Sequence, residues 1–185
     1  MSEGRLVDAL ERRQECALVI AFVDLMGYAA QCARVSDREV ADVIDGYYEV
    51  VADRVGGTGG RVVKFMGDGA LVVYDAADVD RAVGALLSLA DDVHRHLSAR
   101  GWPCHATIKI HLGHVVAGPY GARDDKRFDV IGQAVNTAAM LETTGVTLSA
   151  EAFAALSPAT AARFKPHAAP VTYVRQGDTP RFRRR

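Results

Sequence analysis

Residues 60–75, GRVVKFMGDGALVVYD, decide the fold. Val, Phe and Met run up to Gly67-Asp68-Gly69, and Ala-Leu-Val-Val-Tyr follows it. Asp-Gly between two apolar, β-branched runs is a strong hairpin signal, so the segment predicts two antiparallel strands joined by a tight turn. Upstream, residues 16–23 (CALVIAFV) are continuously apolar, the pattern of a strand covered on both faces; the run ends at Asp24, and Gly27 follows. Between these strands, Ser36 and Glu39 have capping-box spacing. Val40, Val43, Ile44, Tyr47, Tyr48, Val51 and Val55 then recur at helical intervals up to Gly56-Gly57. Downstream, Val79, Val83, Leu86, Leu87, Ala90, Val93 and Leu97 predict a second amphipathic helix.

Farther along, HATIKIHLGHVVAGPYG reads as another strand pair turning near Gly113, followed by a charged loop, GARDDKR. FDVIGQAVNTAAMLETTG passes from a short strand into a helix. VTLS predicts a strand, AEAFAAL a short helix, and VTYVRQGDTPRFRRR a final hairpin ending in a basic tail, residues 181–185. The order β-α-β-β-α-β with C-terminal additions is the ferredoxin-like plan. It implies an α+β fold in which an antiparallel sheet carries helices on one face. No repeat or linker divides the chain, so residues 1–185 read as one domain, with residues 1–15 as an N-terminal extension too short for a sensor domain.

Composition narrows the function classes. The 185 residues are 49% hydrophobic and 24% charged, a globular balance. Lys and Arg total 22 against 23 Asp and Glu, which gives no global case for binding a polyanion, and the strands lack the aromatic stacking motif of RNA-binding modules. No nucleic-acid partner is expected. Cys16, Cys32 and Cys104 are widely spaced and form no C-x-x-C pair, which reads as reduced thiols in a cytoplasmic protein. The polar N-terminus is unlike a signal peptide, and the apolar run 17–23 is far short of the roughly 20 residues that span a membrane. The six histidines show no metal-ligand spacing, and the P-loop, dinucleotide and G-x-S-x-G patterns are missing.

Several polar residues have two readings each. Asp24, directly after a buried strand, is a turn residue or a carboxylate presented at the sheet edge. Asp68 alone is an ordinary hairpin residue. In a ferredoxin-like sheet, however, the two lie near each other and would suit Mg²⁺, a hard ion that takes carboxylates together with substrate phosphates. Lys64, within an apolar strand, snorkels to solvent or serves a ligand. Asp129 has the same ambiguity, and Asn136 and Met140 share one helix face at i, i+4 spacing.

Four ordered segments carry a family resemblance covering roughly residues 17–175. VIAFVDLMGYA, GGRVVKFMGDGALVVY, IKIHLGHVVAGPYG and RFDVIGQAVNTAAMLE together resemble the class III nucleotide cyclase catalytic domains. The resemblance implies that Asp24 and Asp68 bind two Mg²⁺ or Mn²⁺ ions, with Leu25 and Gly27 among the substrate-binding residues. It implies that Lys64 and Asp129 read the purine edge, that Asn136 holds the ribose, and that Arg175 contacts the terminal phosphates. It further implies a head-to-tail homodimer, one subunit supplying the metal carboxylates and the other the base-reading pair.

Such a site would turn ATP into 3′,5′-cyclic AMP and pyrophosphate. The ribose 3′-hydroxyl attacks the α-phosphorus, and two metal ions activate the hydroxyl and clamp the triphosphate. Adenine offers an amino donor and the N1 acceptor, which match a carboxylate and an ammonium. Guanine reverses both, and each unpaired buried polar group costs about 1–3 kcal/mol. Adenylate cyclase activity is therefore expected. The family pattern places an arginine four residues after the asparagine, where this sequence has Met140. A thioether cannot donate to an oxyanion, and losing such a donor costs about 10²–10³ in rate. Three alternatives follow: another cation substitutes (Arg123, Lys126, Arg127 or Arg175), the domain is slow, or it binds nucleotide without turnover. A cyclase of different base preference is a further alternative.

Overall fold

The computed structural model describes residues 12–143, 145–167 and 172–178. In chain order the strands are β1 (Gln14–Met26), β2 (Arg61–Met66), β3 (Gly69–Asp75), β4 (His105–Ala122), β5 (Asp125–Ile131), β6 (Val146–Ser149), β7 (Phe164–His167) and β8 (Thr172–Arg175). The helices are α1 (Tyr28–Cys32), α2 (Asp37–Gly56), α3 (Val79–Ser98), α4 (Gln133–Met140), α5 (Ala150–Ala154) and α6 (Pro158–Ala161). The sheet order is β2-β3-β1-β4-β6-β8-β7, with β5 added to β4. Its first four strands pair antiparallel in the ferredoxin-like order. Among the additions, β6 joins β4 in parallel.

The expected strand–turn–strand and both long helices form as the pattern dictates. Ser36 caps α2 by accepting the Glu39 N–H at 3.3 Å. Val43, Tyr47, Val51 and Val55 give α2 a buried stripe, and α3 buries Ala82, Val83, Leu86, Leu87, Leu89, Val93 and Leu97. Both helices cover one sheet face, where they meet Val19, Ala21, Val23, Val72 and Tyr74. The other face of β1 presents Leu18 and Ile20, which pack with Leu71, Val73, Val115, Val130, Ala134 and Ala138. The continuous apolar run in β1 is thus explained: each set of alternate residues enters a different core. The added helix α4 and the β4–β5 hairpin roof the second core.

Two local expectations are corrected. Gly113 is not a turn: β4 runs unbroken from His105 to Ala122 and pairs with β1 over thirteen residues. A Cβ on Gly113 would stand 2.6 Å from the Ala134 Cβ, so the missing side chain lets α4 pack close. The charged segment is largely paired: Ala122 opposes Asp125, which leaves Arg123 and Asp124 as the turn. The stretch expected to complete a final hairpin after β8, which itself pairs with the preceding β7, lies outside the described residues. The basic tail, residues 181–185, and most of the 1–15 extension lie outside the described residues.

The β4–β5 hairpin folds back over the second face. Phe128 and Asp129 of β5 meet β2 there, with the Arg61 guanidinium 4.4 Å from the Phe128 ring centre. Gly118, opposite Asp129, permits the crossing. Its φ is +152°, and a Cβ there would stand 2.6 Å from the Arg13 Cα. Among the described residues, no helix is long and apolar enough to cross a membrane.

Candidate active site

Asp24 alternates with Val23 and Leu25, which enter the helix-side core, so its carboxylate lies on the opposite face with Phe22 and Ile20. Asp68 sits in the β2–β3 turn, and the two aspartates share a side-chain hydrogen bond. The Asp68 carboxyl is pushed above the usual carboxylate range, first by burial and next by the Asp24 charge; the Leu25 N–H offsets this in part by donating to it. Leu25 is itself buried, and Gly27 follows in a left-handed conformation (φ 91°), opening α1.

The turn is clamped from behind. Tyr48 of α2 donates its hydroxyl to the Gly67 carbonyl at 2.7 Å, and its ring stacks on Phe65 with centres 3.9 Å apart. Tyr47, fully buried beneath, is raised well above an ordinary phenol by burial and then by Asp24 and Asp68. Tyr28 is pushed up to about 12 by burial and by its hydrogen bond with Cys32. Two carboxylates crowded over protonated phenols make an all-oxygen, electronegative corner. That donor chemistry fits Mg²⁺ or Mn²⁺, with the remaining ligands coming from phosphate or water. Among the described residues, no group of three or more His, Cys, Asp or Glu side chains is arranged for a metal, so the pair needs such outside ligands.

A second pair forms on the same face. Lys64 Nζ lies 2.7 Å from Asp129 Oδ2, so residues 65 positions apart are joined within one protomer. Asn136 and Met140 both project from α4 into solvent, Met140 being 82% exposed. Met66 and Ile131, flanking the same elements, are the other large exposed apolar side chains among the described residues.

Arg175 is not brought to this cluster. Its guanidinium is bidentate with Asp91 of α3, at 3.0 and 3.3 Å, on the face carrying the long helices. Strand β8 is three strands from β1, about 14 Å at the usual spacing. Of the other cations considered for the Met140 position, Arg127 pairs with Asp125 and Lys126 donates to the Gly121 carbonyl. A cleft of about 640 Å³ between α2 and α3 is lined by Asp53, Arg54, Asp92 and His96, and contains none of the candidate residues.

Sequence reasoning missed two contributors. Periodicity reads Tyr48 only as a core position of α2, yet its hydroxyl anchors the turn that carries Asp68. Lys109 of β4, a lysine within the apolar run ATIKIHL, donates to the Ala139 carbonyl of α4 at 2.8 Å. The reasoning applied to Lys64 would have picked it out.

The profile for the adenylate and guanylate cyclase catalytic domain matches residues 10–173. The chain belongs to this family. Two uncharacterized proteins of Mycobacterium tuberculosis (strain H37Rv) are similar: Rv1320c at 32% identity over 146 residues and Rv1318c at 30% over 150. Each alignment covers 75% of this chain but only 26% and 27% of the relative, so the chain spans about a quarter of their length. Among solved structures, the guanylyl cyclase Cya2 superposes with TM-score 0.75 at 24% identity, covering 87% of this chain and 91% of the other. The adenylyl cyclase CyaB from P. aeruginosa gives TM-score 0.75 at 19% identity, covering 91% and 99%. These likenesses carry the fold, and they include cyclases of both base types.

Proposed function

We propose that this cyclase domain uses ATP and forms 3′,5′-cyclic AMP, in a homodimer whose sites are shared between subunits. The observation that carries the reading is the Lys64–Asp129 pair: an ammonium and a carboxylate, 2.7 Å apart and partly exposed, on the face that holds Asp24 and Asp68. Opening this pair for a base costs little, since ion pairs of such exposure are worth about 0–1 kcal/mol. Lys64 then donates to adenine N1, and Asp129 accepts from the exocyclic amino group. Guanine would set acceptor against acceptor and donor against donor at the same two atoms.

Asp24 and Asp68 would hold the divalent ions, Mg²⁺ or Mn²⁺. When bound, these supply the positive charge that acidifies the ribose 3′-hydroxyl and balances the departing pyrophosphate. Tyr48 keeps the Asp68 turn in place through Gly67, and the backbone at Leu25 and Gly27 borders the phosphates. Asn136, exposed on α4, hydrogen-bonds the ribose and orients its hydroxyl; because nucleophile and electrophile belong to one molecule, orientation lowers the barrier directly. Exposed Met66, Ile131 and Met140 beside these residues support coverage by a second subunit. Arg175 would reach phosphate only after leaving Asp91, and we assign it the terminal phosphates of a nucleotide held mainly by the partner subunit.

The test is incubation of the purified chain with each of the four nucleoside triphosphates and Mn²⁺, with chromatography of the products. Cyclic AMP that disappears in Asp24→Ala and Asp68→Ala is the expected result. Cyclic GMP as the main product refutes the base assignment. Triphosphate binding without any cyclic product favours the second reading, a nucleotide-binding module, for which exposed Met140 is the specific observation.

A further inference from the structure

Lys109 donates to one of the last carbonyls of α4, and its place on the sheet suggests a role beyond capping that helix. It lies mid-strand in β4, opposite Phe22 of β1 and Thr147 of β6, on the face that carries Asp24. Asp24 pairs with Thr107, so Lys109 is its diagonal neighbour, about 7–8 Å away across the strands. An ammonium so placed would ordinarily turn toward the carboxylate. Lys109 instead reaches to α4 and donates to the Ala139 carbonyl, one residue before Met140 and three after Asn136. Among the described residues, no carboxylate forms an ion pair with it. The side chain is half-buried, and one neutral carbonyl uses one of its three donors. A charge held this way, at the end of the helix that carries the exposed Asn136, keeps two donors for further partners.

We propose that Lys109 is the cation that meets the α-phosphate in the nucleotide site, supplying the hydrogen-bond donor that Met140 lacks. The proposal rests on the cyclase reading above and adds a residue to it. The α4 carbonyl ties the ammonium to the helix that carries Asn136, so the group that holds the ribose and the group that meets the adjacent phosphate move together. As phosphorus becomes five-coordinate, negative charge grows on its non-bridging oxygens. The ammonium donates to one of them and no proton is transferred. Arg123, Lys126 and Arg127 sit at the tip of the β4–β5 hairpin, and Arg175 is held by Asp91.

A helix-capping lysine would also bond to Ala139, so the test must separate the two roles. The full chain and its Lys109→Met, Met140→Arg and Lys109→Met/Met140→Arg variants are compared in cyclic product formation with Mn²⁺-ATP. Calorimetric binding of β,γ-methylene-ATP and of adenosine is measured in parallel. Expected are a kcat loss of about 10²-fold or more in Lys109→Met, weaker binding of the triphosphate with adenosine binding unchanged, and recovery of most of the rate in the double variant. A capping role predicts a lower melting temperature with no rescue by arginine at 140, and that result overturns the proposal. Unchanged kcat and triphosphate affinity in a folded Lys109→Met also overturn it. If the wild-type chain makes no cyclic nucleotide, the cyclase reading falls. The binding arm then decides the Lys109 assignment by itself: selective loss of triphosphate affinity upholds it, and equal affinity ends it.

Discussion

Replacing Gly113 with alanine tests whether helix packing positions the candidate site. The new Cβ would stand 2.6 Å from the Ala134 Cβ and 2.8 Å from His111 Nε2. Carbon atoms rest at about 3.5–4.0 Å, so α4 must lift by about 1 Å or the core beneath must yield. Overpacking of this kind costs about 1–3 kcal/mol, equivalent to a fall of roughly 2–12 °C in melting temperature for a chain of this size. Because α4 carries Asn136, a displacement near 1 Å is expected to lower kcat/KM about 10²-fold. Ala134→Gly removes the opposing methyl. Alone it costs about 1 kcal/mol through helix propensity; combined with Gly113→Ala it is expected to restore part of both stability and activity. Urea unfolding and initial-rate assays of the three variants form a double-mutant cycle. A Gly113→Ala protein with wild-type midpoint and rate, or losses that simply add in the double variant, would refute the account.

Further outcomes follow from the same geometry. Asp68 carries a raised pKa in the folded state, so the native protein holds its proton more tightly than the unfolded chain. Stability should therefore fall as pH rises from about 3.9 through the folded value, and Asp68→Asn should flatten that segment of a melting-temperature profile. The thermal shift produced by Mn²⁺ should vanish as pH drops through the same window, because proton and metal compete for Asp68. Tyr48→Phe removes the 2.7 Å bond to Gly67 but keeps the ring on Phe65; a loss of about 0.5–1.5 kcal/mol in urea unfolding and a weaker apparent Mn²⁺ affinity are expected. Exchanging the base pair, Lys64→Glu with Asp129→Cys, should lower the ATP:GTP rate ratio in a competition assay, and an unchanged ratio would count against the assignment.

The elements with unbroken local patterns were legible from sequence. The Gly67-Asp68-Gly69 turn, the two-sided run of β1, and the stripes of α2 and α3 all follow from periodicity and turn chemistry acting over a few residues. What escaped depended on partners distant in sequence. Gly113 read as a turn because a glycine between apolar runs usually is one; only Ala134, twenty-one residues later, gives it a packing reason. The charged GARDDKR stretch resembled a loop because its strand pairing lies on an exposed arm with little apolar alternation. Proximity of Asp24 and Asp68 could be inferred from topology, whereas contact between Lys64 and Asp129 required β4 and β5 to fold back across the sheet. Periodicity carries no record of that bend, and the Lys109–Ala139 bond was hidden for the same reason.

The folded-back arm has a bearing on redesign. Asp129 meets Lys64 only because a ribbon hinged near Gly118 doubles over its own sheet, so the distance between those two heads is governed by backbone curvature as much as by residue identity. Anyone re-tuning nucleobase choice would do well to treat the hinge as a third variable. Transplanting two side chains onto a straighter ribbon would deliver the right chemistry to the wrong place.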